Sequence, residues 1–137
     1  HQSTTIVGTR SGGAVAAAWA VMNYLGEEGY VRLTRDVMQA KRNLMEGINE
    51  IDDLETYGDP DLGIFTYGSP TVDISAVADG LADVGWYPNR LTEPPGIQML
   101  LFPTHLPVVE EYLSDVSYIV DRVKSGDIVG RGTEATY

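Results

Sequence analysis

Gly8-Thr9-Arg10-Ser11-Gly12-Gly13 is the segment whose residue types are best suited to chemistry. It lies where a polar, glycine-rich stretch gives way to an alanine-rich one, and a helix is expected to begin there. The first backbone amides of a helix have no acceptor within it and carry partial positive charge, so they suit an anion such as phosphate. The Thr9 hydroxyl and the Arg10 guanidinium add two more donor groups beside them. The segment lacks the lysine and the G-x-x-x-x-G-K spacing of a P-loop, and it does not match G-x-G-x-x-G. Glycines at this point are equally explained by close helix packing, and the residues alone leave both readings open.

The remaining candidate groups read as structural. Glu27-Glu28, Asp52-Asp53, Asp59 with Asp61, and Glu110-Glu111 fall in turns or on polar faces, whereas a general acid needs a desolvated setting to raise its pKa. His105, in Phe102-Pro103-Thr104-His105, stands at a strand–helix junction and reads as a hydrogen-bonded structural residue. Trp19 and Trp86 read as core, and Lys41 and Lys124 each lie on an amphipathic helix. There is no cysteine and there are only two histidines, His1 and His105. Disulfides, thiol catalysis and thiolate metal sites are thereby excluded, and a zinc site built on histidine pairs is not expected.

Twenty acidic and nine basic side chains give a net charge of −11. A duplex or an anionic membrane surface would repel such a chain, so neither nucleic acid nor a membrane is expected as partner. The longest apolar run, Ala14 to Met22, is shorter than the roughly 20 residues that cross a bilayer, so no membrane span is expected. The acidic balance suits a cytoplasmic protein. At 137 residues and 43% hydrophobic composition the chain has the size and make-up of one globular domain with its own core. It opens on His1 rather than a methionine, which suggests a piece of something longer.

The elements that must position these groups follow from periodicity. Residues from about Ser11 to Leu25 read as a helix that is apolar on nearly every face, hence buried on all sides or sandwiched between subunits. Gly26-Glu27-Glu28-Gly29 is expected to break it. A one-sided helix follows, with Val31, Thr34, Val37, Met38, the stem of Lys41, Leu44, Met45, Ile48 and Ile51 at three-and-four spacing. Leu62 to Gly68 reads as a strand, Asp73 as the N-cap of a helix through Ala82 that Gly85 ends, and Trp86 to Leu91 as an edge or bulged strand. Thr92 to Gly96 reads as a turn, Ile97 to Phe102 as a strand, and Pro107 to Lys124 as the last helix. The tail from Asp127 is expected to be loosely held. Two long helices and a mixed second half predict an α+β fold, a small mostly antiparallel sheet covered on one face.

Several segments carry a resemblance, in order and spacing. They are Ser3 to Gly13, Tyr24-Leu25-Gly26-Glu27-Glu28-Gly29-Tyr30, Gly58-Asp59-Pro60, Asp73-Ile74, Gly85-Trp86-Tyr87-Pro88-Asn89, Pro94-Pro95-Gly96-Ile97 and Gly132 to Tyr137. Together they resemble the C-terminal third of the pyridoxal-phosphate-dependent group II decarboxylases, and most closely the sphingosine-phosphate lyases. The resemblance implies a homodimer of the aspartate-aminotransferase-like fold. Residues 1–13 would be the glycine-rich loop from the end of a large domain, and 14–137 the C-terminal small domain. It implies pyridoxal phosphate as cofactor, held by a lysine upstream of these residues, so that this chain is inert alone. In relatives the hydroxyl residue at the position of Thr9 reaches the partner subunit's cofactor phosphate, which makes Gly8, Thr9 and Arg10 the implied cofactor-binding residues, Arg10 as a brace.

Two positions depart from the family pattern. Ser11 stands where proline is common, and His1 where lyases tend to have a tyrosine that assists proton transfer. The activity implied is cleavage at the amine-bearing carbon of a phosphorylated amino alcohol. The alternative is decarboxylation of glutamate, aspartate or tyrosine. An alternative of another class is a non-catalytic dimerisation or interaction domain.

Overall fold

The computed structural model describes residues 11–132. The chain divides into two compact units, residues 1–33 and 34–137.

In the first unit the dominant element is the start of α1, which runs Gly12–Glu50 and continues into the second. Gly26 alone leaves helical geometry, at φ 58° and ψ −176°. A side chain there would collide with the backbone, so only glycine holds this break without strain. The interruption is thus narrower than expected, since Glu27 to Gly29 are helical. Residues 11–24 are exposed, Trp19 to 65%. The expected core position of Trp19 is therefore not found. A segment apolar on every side needs cover from more than one direction, and the described residues do not provide it.

In the second unit, α1 buries Lys41, Leu44 and Ile48 of the predicted stripe and Ala40 beside them, while Val37, Met38, Met45 and Ile51 are half-buried and Thr34 is exposed. The other elements are β1 (Glu55–Tyr57), β2 (Ile64–Gly68), α2 (Ile74–Asp83), β3 (Asn89–Thr92), β4 (Pro95–Leu100), a 3₁₀ helix (Pro103–Val108) and α3 (Val109–Lys124). The strands pair antiparallel in the order β1-β2-β4-β3. Register places Tyr67 opposite Ile97 and Phe65 opposite Met99, all directed to the core, while the alternate pair Ile64 and Leu100 is about half exposed. One face of the sheet is covered and the other open, as the pattern predicts.

Local chemistry sets the ends of these elements. The Asp73 carboxylate accepts from the amides of Ser75 at 2.9 Å and Ala76 at 3.2 Å, capping α2 as expected. Pro88 has no amide to give, so β3 starts one residue later, at Asn89 opposite Gln98. Pro95 and Gly96, expected in a turn, instead open β4. The hairpin turns through Glu93 and Pro94, joined by a cis bond. The three-residue β1 was not anticipated, and α3 starts at Val109 rather than Pro107 because the 3₁₀ turn intervenes.

The expectation of a loose tail fails for residues 127–132. The amide of Arg131 donates to Asp79 Oδ2 at 2.7 Å, and its guanidinium pairs with Asp83. Asp79 is almost fully buried and also accepts Arg90 Nη2 at 2.8 Å. Burial pushes this carboxyl up, but the Arg131 amide and Arg90 together hold it below the usual range. Asp53 is lowered as well, first by its hydrogen bond from Lys124 and then by Thr71. A lowered carboxylate contributes stability that is complete above its unfolded pKa of about 4 and is lost as pH falls through the folded value. Acid unfolding followed by circular dichroism should therefore steepen below about pH 4. An Asp79→Asn variant should start less stable and show a shallower acid decline. An equal decline would remove Asp79 from the account.

Candidate functional site

His1, Gly8, Thr9 and Arg10 lie outside the described residues. What the structure describes is the element directly after them. α1 begins at Gly12, and its first turn carries no acidic residue. The amides from Ser11 to Ala14, which precede the first i→i−4 bond, have no acceptor inside the helix. A Cβ at Gly12 would meet nothing within 4 Å, and one at Gly13 would meet only the Ser11 hydroxyl at 3.5 Å. Close packing thus gives no reason for these two glycines among the described residues. Among the described residues nothing closes this helix start and its first turn carries no negative charge, an arrangement that suits an anion.

The second unit holds a half-open recess of about 250 Å³ between the segment before β3, the end of β4, the 3₁₀ helix and α3. Trp86, Asn89, Gln98, Met99, His105 and Tyr112 line it. Trp86 meets Tyr112 edge-on at 5.0 Å and donates Nε1 to Asp115 at 2.8 Å, so it packs as core, as expected. His105 Nδ1 accepts the Phe102 amide at 2.8 Å and its ring stacks on Phe102. That geometry assigns the ring proton to Nε2 and gives His105 the structural role expected of it. Behind the recess Tyr67 and Tyr112 share a 2.6 Å hydrogen bond, and burial pushes both phenols well up, so both stay protonated at neutral pH. Among the described residues that line the recess, no nucleophile sits beside a base.

Both lysines are engaged. Lys41 is buried and donates Nζ to the Pro60 carbonyl. Lys124 Nζ lies 2.6 Å from Asp53, whose hydrogen bond raises the ammonium pKa further. Glu27, Glu28, Asp52, Asp59, Asp61, Glu110 and Glu111 are exposed. Among the described residues no group of three or more His, Asp or Glu is placed to hold a metal, and no helix is long and apolar enough to cross a membrane. Sequence reasoning passed over Asp79. Its signal was a carboxylate set within the apolar run Ala76-Val77-Ala78-Asp79-Gly80-Leu81.

No protein-family model matches the chain. It is 42% identical to the sphingosine-1-phosphate lyase of Arabidopsis thaliana over 132 residues, which is 95% of this chain and 24% of that protein. To a probable L-tyrosine/L-aspartate decarboxylase of Methanothermobacter thermautotrophicus it is 37% identical, over 82% of this chain and 30% of that protein. The chain is a homologue of these lyases and decarboxylases. It spans about a quarter of the length of the lyases it matches. Among solved structures, the sphingosine-1-phosphate lyase of Burkholderia pseudomallei superposes on this homologue with a TM-score of 0.84 at 29% identity, covering 91% of this chain and 29% of that one. A C-DES mutant with glycine covalently linked to its PLP cofactor matches at a TM-score of 0.52 and 11% identity over 61% of this chain and 23% of its own, a likeness of fold alone. The expected α+β domain of the aspartate-aminotransferase-like fold is thus the fold of the lyase homologue.

Proposed function

We propose that residues 14–137 are the small lobe, and residues 1–13 the preceding loop, of a pyridoxal-phosphate-dependent carbon–carbon lyase that cleaves a phosphorylated amino alcohol. The observation that carries this reading is identity of 42% over nearly the whole chain to a sphingosine-1-phosphate lyase. When bound, the cofactor supplies an electron sink for cleavage at the amine-bearing carbon. The part of this chain is to hold its phosphate. The Gly8 amide, the Thr9 hydroxyl and the open helix start at Gly12 offer neutral donors to the phosphate dianion, and Arg10 braces the loop. The reactive lysine belongs to polypeptide outside these 137 residues, since Lys41 and Lys124 already hold the Pro60 carbonyl and Asp53. The parent is a cytoplasmic homodimer, with Thr9 of one subunit serving the cofactor of the other. A decarboxylase acting on tyrosine or aspartate is the second reading, favoured by the 37% identity to the archaeal enzyme.

In the full-length parent, Thr9→Ala should weaken pyridoxal phosphate by roughly 10- to 100-fold, the worth of one hydrogen bond to a charged group, in an absorbance titration. An unchanged Kd would remove Thr9 from the site. Offering the parent sphingosine 1-phosphate, tyrosine and aspartate in turn separates the two readings. A long-chain aldehyde supports the lyase, and carbon dioxide supports the decarboxylase. Mixed with pyridoxal phosphate and then borohydride, the 137-residue chain should yield no adduct. Stable labelling of Lys41 or Lys124 would contradict the assigned division of labour.

A further inference from the structure

The turn after α3 reverses the chain, and residues 127–132 return along α2. Gly126 takes φ 82°, and the Arg122 carbonyl accepts the amides of Asp127 at 2.9 Å and Ile128 at 3.1 Å. Ile128 then lies over Gly80, where a Cβ would meet its Cδ1 at 3.3 Å. Gly130 passes so close to the start of α2 that a Cβ would meet Asp73 Oδ2 at 2.9 Å and the Ala76 amide nitrogen at 3.4 Å. Next comes Arg131, its amide on Asp79 Oδ2. The other oxygen of that carboxylate, Oδ1, takes Arg90 of the edge strand β3.

We propose that residues 127–132 form a latch whose closed position is set by the Asp79 carboxylate, and that the latch and β3 are held or released together through it. One buried charge serves both. Arg90 needs an anion because it is itself mostly buried, and the anion in turn needs a further donor. The Arg131 amide is such a donor. When the strap lifts, Asp79 loses this donor and water reaches the pair, so the hold of the carboxylate on Arg90 weakens, while Arg90 keeps its contact with the Ser75 carbonyl at 3.4 Å. The Arg131 side chain is not the fastening, because its partner Asp83 is exposed and the pair is open to solvent.

Amide hydrogen exchange read by mass spectrometry in the intact protein tests this. Asp79→Asn should speed exchange at Arg131 at least about tenfold and also loosen the β3 peptide. Asp83→Asn should leave the Arg131 amide protected. Gly130→Ala adds one methyl group, leaves Asp79 in place and keeps the test open if the first variant fails to fold. It should speed exchange at both Arg131 and β3. The latch is overturned by unchanged exchange at Arg131 in Asp79→Asn, or by Asp83→Asn matching that variant. Faster exchange in Gly130→Ala confined to the strap, with β3 unmoved, overturns the coupling.

Discussion

Ile97→Ala should lower the stability of the 137-residue chain by about 2–5 kcal/mol. Ile97 is fully buried on β4, an inner strand of the sheet, between Tyr67 of β2 and Arg90 of β3. The backbone is pinned on both sides by strand pairing, so the neighbours cannot close the cavity that three lost carbons leave. Domains of this kind hold only about 5–15 kcal/mol in total, so the change takes a large share of it. Urea unfolding should show the midpoint falling with an unchanged slope. The same substitution at Ile64, about half exposed on the open face, should cost less than about 1 kcal/mol. Equal effects at the two positions would contradict the burial pattern.

The second large effect is expected from a hydroxyl rather than a methyl group. Tyr67 and Tyr112 are joined by their phenols, and among the described residues only the Tyr112 hydroxyl has a further partner, Met99 Sδ at 3.5 Å. Removing the Tyr112 hydroxyl leaves the Tyr67 phenol buried with no partner, a penalty of about 1–3 kcal/mol. Removing the Tyr67 hydroxyl leaves Tyr112 its sulfur contact and its position on the recess, so Tyr67→Phe should be the milder change. The double variant loses both polar atoms together, and it should be more stable than Tyr112→Phe alone. Thermal unfolding of the four proteins as a double-mutant cycle gives the coupling directly. Additive effects would mean that the two hydroxyls do not depend on one another.

The elements that could be read from sequence are those whose signal is local. Asp73 announces α2 because a cap acts within three residues, and the stripe from Val37 to Ile48 announces the second half of α1 because the helical repeat is local too. Glu55-Thr56-Tyr57 carries no alternation of apolar residues, and it is a strand only because β2 offers it an edge. Pro95 hides the start of β4, since its missing amide matters only where a partner would require it. The same division holds for the site. The helix start at Gly12 was legible from the change in composition around it. Asp79 was not, because what its carboxylate does depends on Arg90 and Arg131, one on strand β3 and one beyond the last helix. Trp19 was misplaced for a related reason: apolar character tells that a residue seeks cover, without telling which polypeptide provides it.

The open face of the sheet bears on how the chain behaves in concentrated solution. Ile64 and Leu100 stand opposite one another there, about half exposed, on a molecule with a net charge of −11. In dilute buffer the mutual repulsion of like-charged molecules keeps such greasy patches from meeting. Added electrolyte shortens the reach of that repulsion to a few ångströms at about 1 M while strengthening the attraction between the patches. Preparations of this polypeptide should accordingly stay clear at low ionic strength and turn cloudy when ammonium sulfate is raised.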